Sequence, residues 1–119
     1  NPLPFLHSAD VHVAPSMYEE PFGLVVVEAK SAGVPSIVFP SGGMKHLINP
    51  ETDGWVCHDK TSESLCQSLE KALRAKQSGQ LNMMGMNAMD DYKANYTFDK
   101  FCCNWNDVLS AHFEIGVMR

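Results

Sequence analysis

The sequence is short of several things at once. No apolar run approaches the roughly 20 residues that span a bilayer, and no charged segment followed by an apolar one opens the chain. A membrane span and a secretory leader are therefore not expected, and the chain reads as soluble and cytoplasmic. Basic residues are scarce: 9 Lys and Arg stand against 14 Asp and Glu, a formal charge of -5. A nucleic-acid backbone is excluded as partner, because binding one takes a basic stripe that releases counterions. The four cysteines, Cys57, Cys66, Cys102 and Cys103, form no CxxC pair and no zinc-like spacing. They read as reduced thiols, and no metal site is expected. There is no internal repeat or low-complexity stretch. The opening Asn-Pro-Leu-Pro has no initiator Met, as in a piece of a longer polypeptide.

What is present suits one domain with one core: 119 residues, 45% of them apolar. Punctuation divides the first half. Phe5 to Ala9 is one or two turns of helix. Asp10 to Ser16 alternates Val11 and Val13 against His12 and Ala14 and stops at Pro15, as a strand does. His12 reads as a core histidine with a hydrogen bond. Pro21 suits a helix entry, since its missing N–H has no intrahelical partner there. Phe22 to Ala32 is β-branched enough for a strand, but its length, its Ala-rich end, Gly33 and Pro35 favour a helix. Val34 to Pro40 is a short strand buried on both faces, followed by Ser41-Gly42-Gly43. Met44 to Ile48 is a helical turn, and Trp55 to Cys57 a brief edge strand.

After Thr61 the pattern is helical. Leu65, Leu69, Ala72 and Leu73 mark one helix, which ends at Gly79. Leu81, Met84, Ala88, Tyr92 and Tyr96 mark a second. Thr97 caps a third, whose stripe of Phe98, Phe101, Cys102, Trp105, Val108, Leu109 and Phe113 reads as core packing. The chain is thus a single α/β unit, with a parallel-sheet portion over 1–60 and C-terminal helices over 61–119.

Chemistry concentrates between Pro15 and Gly33. Glu20 and Glu28 stand with seven residues between them, across a turn and an apolar run. With Leu24 to Val27 before it and Ala29 after it, Glu28 is expected to be shielded from water, where an unpaired carboxylate costs several kcal/mol. It either takes a protein donor, such as a backbone N–H, or faces a cavity where a ligand supplies hydroxyls. A helix starting near Phe22 and Gly23 directs unsatisfied N–H groups and a partial positive charge outward from the end of the preceding strand. That is an anion site, and it explains how a phosphate could be held with no Lys or Arg between Ser16 and Ala29. Glu20 would repel a phosphate. Two carboxylates flanking such a site suit a ligand with hydroxyls on both sides of its phosphates, as a nucleotide sugar has. Gly42 and Gly43, at the C-terminal end of a buried strand, suit a close backbone approach to a ligand, although a plain turn also needs glycines.

The run from Pro15 to Pro35, with Gly-Gly-Met-Lys-His-Leu-Ile and Asp-Gly-Trp-Val after it, resembles the C-terminal domain of the family 4 retaining glycosyltransferases, glycosyl transferases group 1. Glu20 and Glu28 match the two acids of that family's E(x7)E signature, and the likeness runs without a gap from about Ala9 to Val56. The resemblance implies the Rossmann-like C-terminal half of a GT-B fold and a nucleotide-diphosphate sugar as donor substrate, with no cofactor and no bound metal. It implies that Glu20 contacts the donor sugar as the catalytic acid of the pair and that Glu28 binds the ribose. Backbone amides across Phe22, Gly23, Leu24 and Val25 would hold sugar hydroxyls and diphosphate, with Gly42 and Gly43 beside them.

The sequence departs from the family pattern at His46, where an acid is common. The family's diphosphate-clamping Arg and Lys pair would lie before Asn1, as would the N-terminal acceptor domain, so the isolated chain is expected to be inactive and either marginally stable or self-associating. The alternative function is a non-catalytic nucleotide-sugar-binding or regulatory module, which His46 favours. A sugar-nucleotide epimerase of the same fold is expected to lack the Glu-Pro-Phe-Gly turn.

Overall fold

The computed structural model describes residues 1–113. Its elements are α1 (Leu3–Ser8), β1 (His12–Ala14), α2 (Leu24–Ser31), β2 (Ser36–Val38), α3 (Met44–Leu47), β3 (Gly54–Val56), α4 (Ser62–Ser78), α5 (Gln80–Asn95) and α6 (Phe98–Phe113). The three strands are parallel in the order β1-β2-β3. Ile37 in the central strand pairs with Val13 on one side and Trp55 on the other. The α/β class expected from the sequence is observed: a Rossmann-like parallel sheet with flanking helices and a helical C-terminal tail.

Alternation along β2 divides the core into two layers. Ile37 faces Trp55, Cys57, Ala72, Ala75, Leu81 and Met84, so α4 and the start of α5 cover that face. Val38 faces Ala14, Val26, Val27, Met44, Leu47 and Ile48, so α2 and α3 cover the other. The far end of α5 reaches round to this second layer through Tyr92 and Tyr96. Where α2 and α5 cross, Gly85 permits the approach: a Cβ there would lie 2.5 Å from the Gly33 carbonyl oxygen.

Several sequence expectations shift. The helix expected from Phe22 begins at Leu24, and Pro21 is not its first residue. Instead Gly23 turns the chain in at φ +99°, and a Cβ there would strike the Met44 side chain. β3 starts one residue earlier than expected, at Gly54. Gly33 does follow the helix in the left-handed conformation, and Thr61 Oγ1 does cap α4, accepting the Ser64 N–H at 3.2 Å.

α4 is rotated from its expected face. Ser64, Ser68, Ala72 and Ala75 are buried, whereas Leu69 and Leu73 are exposed. Small residues let the helix lie close to the sheet, and the serine hydroxyls find partners there: Ser68 Oγ near Cys57 Sγ, and Ser64 Oγ accepting the Asp59 N–H at 3.2 Å.

The α6 stripe is not core packing in this chain. α6 buries no residue, and Phe98, Phe101, Trp105, Val108 and Phe113 are all exposed. Its aromatic rings stack along the helix, Phe98 on Phe101 and Phe101 edge-on to Trp105. An amphipathic pattern specifies a face to be covered without specifying by what.

Candidate functional site

The site is assembled at the C-terminal ends of β1 and β2, where the Pro15–Gly23 turn meets the loop between β2 and α3. The two segments are stitched by hydrogen bonds. Ser41 Oγ donates to the Tyr18 carbonyl, the Gly43 N–H donates to the Glu20 carbonyl at 2.6 Å, and the Gly42 N–H donates to the Glu19 carboxylate. Lys60 closes the far side, its Nζ donating to the Met17 carbonyl at 3.0 Å and to Glu19 Oε1 at 3.3 Å.

This geometry gives the glycine pair a physical cause. A Cβ on Gly42 would sit 2.0 Å from the Glu20 carbonyl oxygen, and one on Gly43 would sit 2.4 Å from that of Pro21. Gly42 also has φ +46°. The close backbone approach that these residues permit is to the Glu20 turn itself, and both amides are engaged within the chain.

Glu20 is half-buried in this turn. Its carboxylate accepts the Tyr18 hydroxyl, which, with the carboxylate's charge, pushes that exposed phenol above its ordinary range. Glu19, which the sequence did not single out, is held below the usual carboxylate range by the Gly42 N–H first and by Lys60 second.

Behind Gly23, α2 presents its N-terminus with no side-chain cap and no acidic residue in the first turn. Phe22, Leu24 and Val25 are exposed around it. The first amides of a helix have no intrahelical acceptor and carry the positive end of its dipole. With Glu20 on the adjoining turn, this end of α2 suits a ligand that is anionic at one point and hydroxylated at the next.

Glu28 is half-buried, less shielded than the flanking apolar run led us to expect, because the helix turns Val26, Val27, Ala29 and Lys30 inward instead. Its carboxylate lies on the β1 side of α2, near enough for its charge to reach His12. Burial depresses the His12 pKa and the Glu28 charge partly restores it. The His12 ring shares a 2.9 Å hydrogen bond between Nδ1 and Ser36 Oγ, the structural role expected of it. His46 is exposed on α3.

Sequence reasoning missed Lys30. It is 1% exposed, with Nζ 3.0 Å from Asp53 Oδ2 and in contact with Asp91 Oδ2. The signal was available: Lys30 follows the buried Val26 by four residues, on the same helix face. Among the described residues no group of three His, Cys, Asp or Glu side chains is gathered as a metal site would require. A largely apolar groove of about 530 Å³ adjoins the α2 N-terminus, lined by Phe22, Leu24, Val27, Tyr96 and Phe101. Another, of about 450 Å³, opens at the opposite ends of β1 and β2, between Asp10, Gly33 and α5.

The family profile described as glycosyl transferases group 1 matches residues 1–91. The chain belongs to that family.

Within it, this group 1 chain is 36% identical over 108 residues to an uncharacterised glycosyltransferase of Methanocaldococcus jannaschii, covering 91% of this chain and 27% of that protein. It is 40% identical over 72 residues to a glycogen synthase of Mycobacterium tuberculosis, covering 60% of this chain and 17% of that one. Among solved structures, a sucrose-phosphate synthase from Thermosynechococcus elongatus superposes with a TM-score of 0.80 at 25% identity, covering 92% of this chain and 27% of that one. Anabaena HepE in complex with UDP-glucose superposes with a TM-score of 0.78 at 21% identity, covering 93% and 30%. The fold is that of one part of the GT-B glycosyltransferases, and the chain spans between 17% and 30% of the length of these relatives. No helix among the described residues is long and apolar enough to cross a membrane.

Proposed function

We propose that this chain is the donor-binding part of a cytoplasmic glycosyltransferase that moves a hexosyl group, with retention at the anomeric carbon, from a nucleotide-diphosphate sugar to an acceptor. The observation that carries the reading is the α2 N-terminus: an uncapped set of amides with Glu20 on the turn before it and Glu28 in its second turn. Family membership and a shared fold with a UDP-glucose-bound protein support it.

In this reading the diphosphate lies at the amides of Gly23, Leu24 and Val25, with Phe22 at the rim. When the bond between the anomeric carbon and the diphosphate oxygen breaks, negative charge grows on the departing phosphate, where fixed backbone dipoles stabilise it without reorganising. Glu20 contacts the donor sugar and Glu28 the ribose hydroxyls. Gly42 and Gly43 serve the site chiefly by seating the Glu20 turn. No metal or cofactor is invoked. Acceptor and remaining donor contacts come from the rest of the parent polypeptide, and the exposed α6 stripe supports such a partner, since five large apolar side chains on one helix lie uncovered.

Calorimetric titration of the full-length parent with UDP- and GDP-sugars, repeated with Glu28→Ala, tests the reading. We expect saturable binding, weakened at least about tenfold in the variant, as loss of hydrogen bonds to a charged group requires. Absence of binding to any nucleotide sugar would refute it. Binding without turnover toward any acceptor would favour the non-catalytic module, for which the exposed His46 remains the supporting feature.

A further inference from the structure

Lys30 is among the largest fully buried side chains of the molecule, and it is charged. Three elements converge on it. Asp53, in the turn before β3, accepts from Nζ at 3.0 Å and also takes the Asn49 N–H at 2.9 Å and Asn49 Nδ2 at 2.6 Å. Asp91, on α5, accepts from Nζ through Oδ2 and from Asn95 Nδ2 through Oδ1 at 2.7 Å. The Lys30 ammonium also lies 5.8 Å from the centre of the Tyr96 ring, just beyond α5. That ring meets Phe22 edge-on, with centroids 6.5 Å apart and planes at 65°.

The contacts form a closed circuit. It leaves α2 at Lys30, passes to the Tyr96 ring, and returns to Phe22, two residues before α2 begins, while Asp53 and Asp91 hold the ammonium from the turn before β3 and from α5. From this circuit we propose that Lys30 is a positioning residue for the donor site, fixing the rotation of α2 about its axis. The inference rests on the donor-site reading above.

The physical case is one of directionality. Val26 and Val27 hold α2 to the sheet, and Ala29 holds it to Leu6 of α1 and to Val34, by apolar burial, which is non-directional and tolerates small rotations. An apolar residue of similar volume at Lys30 would cost less to bury than an ion network, so stability alone does not account for the charge. Hydrogen bonds to two fixed carboxylates do set an angle. A side-chain end lies about 5–6 Å from a helix axis, so a rotation of about 10° would carry the Glu28 carboxylate about 1 Å. Misplacement of that size can reduce a rate by about a hundredfold.

The test uses the full-length parent. Lys30→Met, Asp53→Asn and Asp91→Asn are combined, so that the charges leave together and none is stranded. Hydrogen exchange across Val26–Glu28, melting temperature and affinity for UDP and GDP are then measured. We expect a melting temperature at or above that of the natural protein, exchange at least about tenfold faster across that segment, and nucleotide affinity at least about tenfold weaker. A triple variant that melts, exchanges and binds like the natural protein would overturn the proposal.

If the triple variant does not fold, Asp91→Asn decides. It removes one of the two fixed carboxylates while Asp53 still pairs the Lys30 ammonium, so unchanged exchange across the segment and unchanged nucleotide affinity would equally overturn the proposal. Natural protein that binds neither nucleotide refutes the donor-site reading alone, because the exchange measurement needs no ligand.

Discussion

Replacing Gly42 by Ala tests whether the Glu20 turn is held in place by backbone contact. Two costs add. The residue has φ +46°, a conformation that costs an L side chain about 1–2 kcal/mol. The new Cβ would lie 2.0 Å from the Glu20 carbonyl oxygen, about 1 Å inside the 3.0 Å that real Cβ contacts respect, and the obstacle is backbone that cannot swing aside. Relieving it means moving the turn or the loop, at about 1–3 kcal/mol, by analogy with overpacking elsewhere. Gly79→Ala is the control. It has φ +84° but open space around it, so it bears the conformational cost alone. In urea unfolding of the parent we expect about 1–2 kcal/mol for Gly79→Ala and about 2–5 kcal/mol for Gly42→Ala. The second measurement is more discriminating: Gly42→Ala displaces Glu20 and weakens UDP-sugar binding by about tenfold or more, whereas Gly79→Ala leaves binding unchanged. Equal effects of the two variants on both measurements would refute the reasoning.

Burial holds the His12 pKa below its ordinary 6.5, so the unfolded chain binds the proton first. Stability is therefore expected to be level above about pH 6.5 and to fall as pH drops from there toward the folded-state value. Glu28→Gln, which removes the charge supporting the imidazolium, should deepen that fall, as urea midpoints against pH would record. Glu19 has the opposite kind of shift, a carboxylate held below 4.5 by the Gly42 N–H and Lys60. Its contribution is present above the ordinary value and lost as pH falls through the folded one, so Glu19→Gln should flatten the acid limb of the same curve. On α6, the double variant Phe101→Ser/Trp105→Ser should destabilise the parent by about 3–6 kcal/mol where the stripe is covered, at about 1.5–3 kcal/mol for each buried aromatic. Calorimetric melting that is unchanged would mean that the stripe stays open.

Order of elements was the most legible feature. Prolines 15 and 35, Gly33, Thr61 and Gly79 bound the strands and helices close to where they occur, because each acts through its own backbone geometry. The Glu20 turn and the α2 N-terminus were legible for the same reason. Faces were less so. In α4 the larger leucines pointed to the wrong side, since serines can be buried only where neighbours satisfy their hydroxyls, and Cys57 and Asp59 are supplied by tertiary structure. In α6 the stripe was real but its cover is not among the described residues. Gly42 and Gly43 read as suited to a ligand because the chain segment that crowds them, Glu20 to Phe22, lies about 22 residues earlier. Lys30 was overlooked because its partners are far off in sequence.

That separation has a kinetic consequence. Lys30 and Asp91 are 61 residues apart, so on a ribosome adding about 5–20 residues per second α2 waits about 3–12 s for its second carboxylate. Until then the ammonium has only Asp53, itself 23 residues downstream, and burying it would strand much of its charge. The sheet face under α2 therefore stays loosely covered during synthesis and closes when α5 arrives. The helical tail completes the nascent strand layer as well as following it in sequence, and truncation before Asp91 would leave a chain holding β1, β2 and β3 but with the Lys30 ammonium short of its second carboxylate.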